Sequence, residues 1–173
     1  GYVLYVGSNA ESGKARFDIN TDSDNFEHFS GTTDLRDNQW HFITATYDNS
    51  TAKLYVDGIM ENELSFITDY LGNQNGYQSL LIGKSNHAPE HFNGNLNEIG
   101  IWNIALSPEQ IQAYMLTPPT GNEEGLVGYW TFNAGEGETL YDHSGNGNHG
   151  NINGATWECN DMDLCGVCGG DNS

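Results

Sequence analysis

Over residues 1–103, short hydrophobic runs alternate with polar positions, and Gly, Asn and Asp interrupt them at strand-like spacing. The pattern predicts β-strands over 2–6, 15–19, 26–29, 40–47, 53–56, 61–66, 80–82 and 96–102. Asp48-Asn49-Ser50-Thr51-Ala52 and then Asp57-Gly58 separate the three strands in the middle of this series. Asp-Gly is a strong two-residue hairpin signal, so these strands are predicted to form an antiparallel meander. In 40–47, Trp40 and Phe42 fall on one face and Ile43, Ala45 and Tyr47 on the other, so a strand covered on both sides is expected. In 53–56, Leu54 and Val56 point one way and Lys53 and Tyr55 the other.

One helix is predicted. Ser107-Pro108-Glu109-Gln110 offers an N-cap serine, a proline at the first helical position and a capping-box glutamine. Ile111, Tyr114 and Met115 follow as one apolar stripe, and Pro118-Pro119 ends the helix. Beyond a polar linker, 126–132 reads as a strand, 142–150 as a Gly/Asn-rich loop, and 149–157 as one more short strand. The fold class expected is all-β: an antiparallel two-sheet β-sandwich with one short helix.

Composition agrees with that class. The 173 residues suit one domain, or one domain with a trailing linker. Twenty-two glycines and only 17% charged residues suit short strands joined by tight turns. Charge narrows the function. Twenty-four acidic residues face five basic ones, Lys14, Arg16, Arg36, Lys53 and Lys84, for a formal charge of −19. Such a chain repels nucleic acid and anionic membrane surfaces. No stretch approaches the roughly 20 apolar residues of a membrane helix, so no membrane insertion is expected. The acidic excess reads either as solubility in salty extracellular fluid or as carboxylates that hold a hard cation such as calcium.

No initiator Met is present and residues 2–6 already resemble a strand in mid-domain, so the chain is expected to be a piece of a larger protein with flanking domains. The absence of a targeting signal then says nothing about destination. All three cysteines, Cys159, Cys165 and Cys168, sit near the C-terminal end, and the odd count suggests a partner beyond Ser173. Cys-x-x-Cys could be a redox motif or half a zinc site. With no βαβ pattern before it and no second ligand pair, structural disulfides are the better reading.

Two blocks carry a family resemblance. The first is Asn38-Gln39-Trp40-His41-Phe42-Ile43-Thr44-Ala45-Thr46-Tyr47-Asp48 with Lys53-Leu54-Tyr55-Val56-Asp57-Gly58. The second is Leu81-Ile82-Gly83, then Phe92-Asn93-Gly94-Asn95-Leu96-Asn97-Glu98-Ile99-Gly100-Ile101-Trp102-Asn103, ending in Ala105-Leu106-Ser107-Pro108-Glu109-Gln110-Ile111. In this order they resemble the laminin-G-like domains of the concanavalin A-like lectin/glucanase superfamily. That resemblance implies a jelly-roll sandwich in a large secreted or surface protein, bacterial ones included. Gly125-Leu126-Val127-Gly128-Tyr129-Trp130 and the loop 142–150 resemble the start of such a domain. Either a second domain begins there and breaks off, or the segment folds back to complete this one. The second is favoured because no further Trp40-like block follows and open sheet edges need covering. The expected organisation is a sandwich over 1–117, a linker over 118–124, a completing segment over 125–157 and a cysteine-bearing tail over 158–173. The tail, Cys165-Gly166-Val167-Cys168-Gly169-Gly170-Asp171-Asn172, resembles short repeats of large extracellular proteins.

The resemblance implies a structural calcium near the 142–150 loop, with Asp142, Asn146 and Glu98 as ligands. Calcium takes about six to eight oxygens, and this loop offers a carboxylate, an amide oxygen and free carbonyls. The alternative is that Asp142 and Asn146 only make Asx-turn hydrogen bonds. Tyr77, His87, His91 and Phe92 fall in expected loops and are candidates for a glycan or protein ligand, or for packing loops onto the sheet. Zinc at His87 and His91 is disfavoured because Pro89 prevents the helix that their spacing needs. Retaining glucanases of the superfamily need two carboxylates about 5–5.5 Å apart. No Glu-x-Asp-x-x-Glu strand and no Gly-x-Ser-x-Gly elbow occurs. The expectation is a non-catalytic extracellular module that contacts glycans or proteins. The alternatives are a structural spacer and an accessory carbohydrate-binding module of a secreted hydrolase.

Overall fold

The computed structural model describes residues 2–7, 13–20, 26–65, 79–84 and 91–158. Tyr77, His87 and the three cysteines lie outside them. In chain order the elements are β1 (Tyr2–Val6), β2 (Ala15–Asn20), β3 (Phe26–Ser30), β4 (Ile43–Tyr47), β5 (Thr51–Val56), β6 (Ile59–Ser65), β7 (Ile99–Trp102), α1 (Pro108–Leu116), β8 (Leu126–Trp130), β9 (Thr139–Leu140) and β10 (Gly150–Asn151). Every strand pairing among the described residues is antiparallel. The chain forms two compact units that interleave in sequence: Gly1–Ser79 with Ile104–Pro118, and Leu80–Asn103 with Pro119–Ser173.

In the first unit, β1-β2-β3 and β4-β5-β6 are two three-stranded meanders that share one apolar core. Ala15, Phe17 and Ile19 of β2 and Phe29 of β3 meet Ala52, Leu54 and Val56 of β5, as period-2 alternation requires when each sheet turns one face inward. Ile43, Ala45 and Tyr47 of β4 add to that core. Phe17 and Phe29 meet edge-on at 6.0 Å. Glu61 of β6 accepts hydrogen bonds from the amides of Thr32 and Thr33 and from the Thr33 hydroxyl, and Asn62 donates to the Ser30 carbonyl at 2.9 Å.

The Asp57-Gly58 hairpin forms as expected. Both residues have positive φ (51° and 74°), and Val56 pairs with Ile59 across a two-residue loop. Asp57 also closes the end of the sheet. Its amide donates to the Phe42 carbonyl at 2.8 Å and its carboxylate accepts from the Phe42 amide at 2.9 Å. His41 stands between Asp57 and Asp37 at 2.8 and 3.0 Å, and those carboxylates, Asp57 first, raise its pKa above the ordinary imidazole value. The helix starts as expected too: Ser107 Oγ accepts from the Gln110 amide and Gln110 Oε1 accepts from the Ser107 amide. Ile111 is its buried residue, and Gln112 donates to the Gly58 carbonyl at 3.3 Å.

Several strand ends differ from the expected ones. Strand β4 begins at Ile43, because Asn38 at φ 63° turns the chain and leaves Trp40 63% exposed. The second face of β4 is therefore lined by Thr44 and Thr46, whereas Tyr55 on β5 is 2% exposed where an open face was expected. Residues 80–82 form no strand. Leu80 is 52% exposed, and Gly83 at φ 73° bends the chain into an isolated bridge between Lys84 and His91. Glu98 at φ 51° delays β7 until Ile99, and Phe132 at φ 57° lies beyond the end of β8.

The core makes a direct prediction. Leu54→Ala removes a fully buried side chain between the two meanders. It should lower the unfolding free energy by about 2–5 kcal/mol in chemical denaturation; a loss below about 1 kcal/mol would mean that Leu54 does not fill that core.

Candidate functional site

The second unit is built on β8. Its pairing with β7 sets Ile99 opposite Trp130 and Gly100 opposite Tyr129. Glycine at 100 and at 128 leaves room for an indole two residues on: a Cβ at either position would lie 2.4 Å from the ring of Trp102 or Trp130. Residues two apart share a face of a strand, so each Gly-x-Trp lays its indole flat along the backbone.

Against β8 lies the loop from Asp142 to His149. Asp142 is 7% exposed, and protein donors surround its carboxylate. Oδ1 accepts from the amides of Tyr129 and Ser144, both at 2.9 Å; Oδ2 accepts from the Ser144 hydroxyl at 2.9 Å and the Asn148 amide at 2.8 Å. Burial pushes this carboxyl up, but the donors outweigh it and hold its pKa at about 2. The Asn146 and Asn148 side-chain amides donate to the Val127 carbonyl at 3.0 and 2.8 Å, and Asn146 also reaches Leu126 O at 3.1 Å. Trp130 Nε1 donates to Asn148 O at 3.0 Å, and the Asp142 amide donates to His149 Nδ1 at 3.0 Å.

This donor set does not fit the implied calcium. Each Asp142 oxygen already accepts two protein hydrogen bonds, and the Asn146 side chain turns its Nδ2 donor toward the Leu126 and Val127 carbonyls. Burial raises the Glu98 carboxyl, and Glu98 with Glu123 adds to the burial that raises the Tyr129 phenol. Among the described residues, no three His, Cys, Asp or Glu side chains gather into a group that could hold a metal. The Ser144 amide on Asp142 Oδ1 closes an Asx turn, whereas the Tyr129 amide on Asp142 and the Asn146 side chain on the Leu126 and Val127 carbonyls tie the loop to β8.

Of the expected ligand residues, His91 bridges to Lys84 and Phe92 is exposed, its ring lying over Gly94. Two shallow clefts lie beside the Asp142 loop. One cleft of about 400 Å³ is lined by Ala134, Glu136, Gly137, Glu138, Thr139 and Tyr141. A second, of about 230 Å³, is lined in part by Phe132, Asn133, Ala134, Tyr141, His143 and Trp157. The aromatic walls are anchored. Trp157 Nε1 donates to Gly137 O at 3.0 Å, and Tyr141 stands edge-on against His149 at 5.5 Å. Phe132 holds a left-handed backbone, which costs a bulky residue about 1–3 kcal/mol and is found where surroundings enforce it, often at functional sites. The motif reading missed Phe132, Tyr141 and Trp157. A signal for Tyr141 was present: it stands between Leu140 and Asp142, both buried, and alternation turns it to the solvent.

In the first unit, two antiparallel meanders on a shared core define a β-sandwich. Residues 1–112 match the family model described as the concanavalin A-like lectin/glucanases superfamily, and the chain belongs to that family. No curated protein matches the sequence. Among solved structures, a candidate carbohydrate-binding protein from Bacteroides ovatus superposes with a TM-score of 0.69 at 21% identity, over 86% of this chain and 44% of its own. An S-layer domain-containing protein from Clostridium thermocellum gives a TM-score of 0.34 at 19% identity, over 61% of this chain and 52% of its own. The chain thus spans less than half of the Bacteroides protein. The shared fold is the concanavalin A-like β-sandwich.

The Asp142 clasp predicts an acid-sensitive fold. Its folded pKa of about 2 lies below the unfolded value of about 3.9, so the carboxylate stabilises above about pH 4 and the gain is lost as pH falls toward 2. The contribution is about 2–3 kcal/mol. Asp142→Ala should lower stability by about that amount at pH 7 and flatten the acid limb of stability against pH; parallel acid limbs for variant and parent would contradict the clasp.

Proposed function

We propose that this chain is a non-catalytic carbohydrate-binding module of an extracellular protein, with its ligand held in the clefts around Tyr141. The observation that carries the reading is the pairing of anchored aromatic walls with polar neighbours in two adjoining shallow clefts. Sugar rings present apolar C–H faces and a rim of hydroxyls, so they ask for flat aromatic surface with hydrogen-bonding groups at its edge. Membership of a lectin/glucanase superfamily and the fold shared with a candidate carbohydrate-binding protein support it. The acidic surface suits extracellular fluid. Segment 125–157 belongs to this module in our reading, supported by the register of β8 on β7.

A binding role suits the cleft better than hydrolysis. Glu136 and Glu138 are both exposed to water, and an exposed carboxyl lacks the burial that readies a general acid. Calcium has no part in the proposal, because Asp142 is satisfied by the chain itself.

A panel of immobilised neutral and acidic glycans tests the reading. Binding to at least one neutral glycan is expected, equal in calcium and in chelator, with no reducing ends released on prolonged incubation. Silence across the whole panel would leave a structural spacer, and released reducing ends would make the chain an enzyme.

A further inference from the structure

We propose that the ligand is a linear, non-anionic glycan segment of at least two sugar units, lying across both clefts with Tyr141 as the platform between them. The inference rests on the carbohydrate-binding reading and adds length and charge to it. Length follows from the shape of the site. The two clefts adjoin, because Ala134 and Tyr141 line both. The larger, about 400 Å³, falls in the lower part of the roughly 300–1,000 Å³ typical of pockets that engulf a small molecule, and the smaller, about 230 Å³, falls below it. Both clefts are open to solvent, and a chain that runs from one to the other covers the aromatic surface that each leaves open.

Charge follows from the lining. Glu136 and Glu138 face the larger cleft, and no Lys or Arg lines either. Ionised carboxylates only accept hydrogen bonds, so the ligand must bring donors, which hydroxyls are and uronate or sulfate groups are not. A formal charge of −19 repels an anionic polymer before it docks. The platform is set before binding. Tyr141 is 55% exposed, and its ring meets His149, whose Nδ1 in turn accepts from the amide of Asp142. A ring already held in place loses little freedom when a sugar stacks on it.

Calorimetric titration of the whole chain with neutral tetrasaccharides (cellotetraose, mannotetraose, xylotetraose and N-acetylchitotetraose), their monosaccharides and oligogalacturonate tests this. At least one neutral tetrasaccharide should bind about tenfold or more tighter than its monosaccharide, and oligogalacturonate should not bind. Tyr141→Ala, at an exposed position and checked for folding by circular dichroism, should lose about tenfold or more in affinity. The double change Glu136→Gln with Glu138→Gln should weaken the same complex while leaving Tm unchanged. A monosaccharide that binds as tightly as its tetrasaccharide, oligogalacturonate that binds as well as the neutral chains, or a folded Tyr141→Ala with full affinity would each overturn the inference while leaving a carbohydrate-binding module. No binding of any sugar, charged or neutral, would remove the carbohydrate reading itself.

Discussion

A buried carboxylate is a liability unless its lone pairs are filled, and Asp142 has two donors on each oxygen. Those donors come from β8 and from both halves of the 142–149 loop, so one side chain fixes the loop to the strand. The amides of Asn146 and Asn148 fasten the loop a second time, on the Val127 carbonyl. The candidate site depends on this arrangement because Tyr141 is the residue before Asp142 and His149 closes the loop. Turning Asp142 inward turns Tyr141 outward.

The same device recurs through the chain. With 24 acidic groups and five basic ones, few carboxylates can find a cationic partner. Many cap turns instead. Asp48 accepts from the amides of Ser50 and Thr51, Glu61 from those of Thr32 and Thr33, and Glu123 from those of Thr120 and Gly121. In Glu61 and Glu123 burial pushes the carboxyl up and the donors more than offset it; in Asp48 the Ser50 hydroxyl leads the lowering. Charge-assisted hydrogen bonds to backbone amides thus order turns that a cysteine-free stretch of 158 residues must hold without disulfides.

The features of the fold that were legible beforehand are those with local signatures. The central meander, the Asp57-Gly58 hairpin and the Ser107 capping box follow from short-range chemistry, and all three are present. Strand limits were misjudged where Asn38, Gly83, Glu98 and Phe132 take positive φ, because apolar alternation runs on through a residue whose backbone turns away. The clefts were illegible for another reason. Phe132, Tyr141 and Trp157 lie on separate segments, brought to one surface by β9 on β10 and by the bond from Trp157 to Gly137. At Asp142 and Asn146 the residue types allowed a cation cage or a set of turn bonds, and the placement of the Tyr129 and Asn148 amides against the carboxylate has no signature in the sequence.

The central claim is that the Asp142 carboxylate holds the loop beside the clefts in place, and native-state hydrogen exchange reads it most directly. The amides of Tyr129, Ser144 and Asn148 should exchange slowly, and all three should speed up together in Asp142→Ala while the β5 amides of the first unit keep their protection. Fast exchange at Ser144 and Asn148 in the parent protein, or unchanged protection in the variant, would contradict the account.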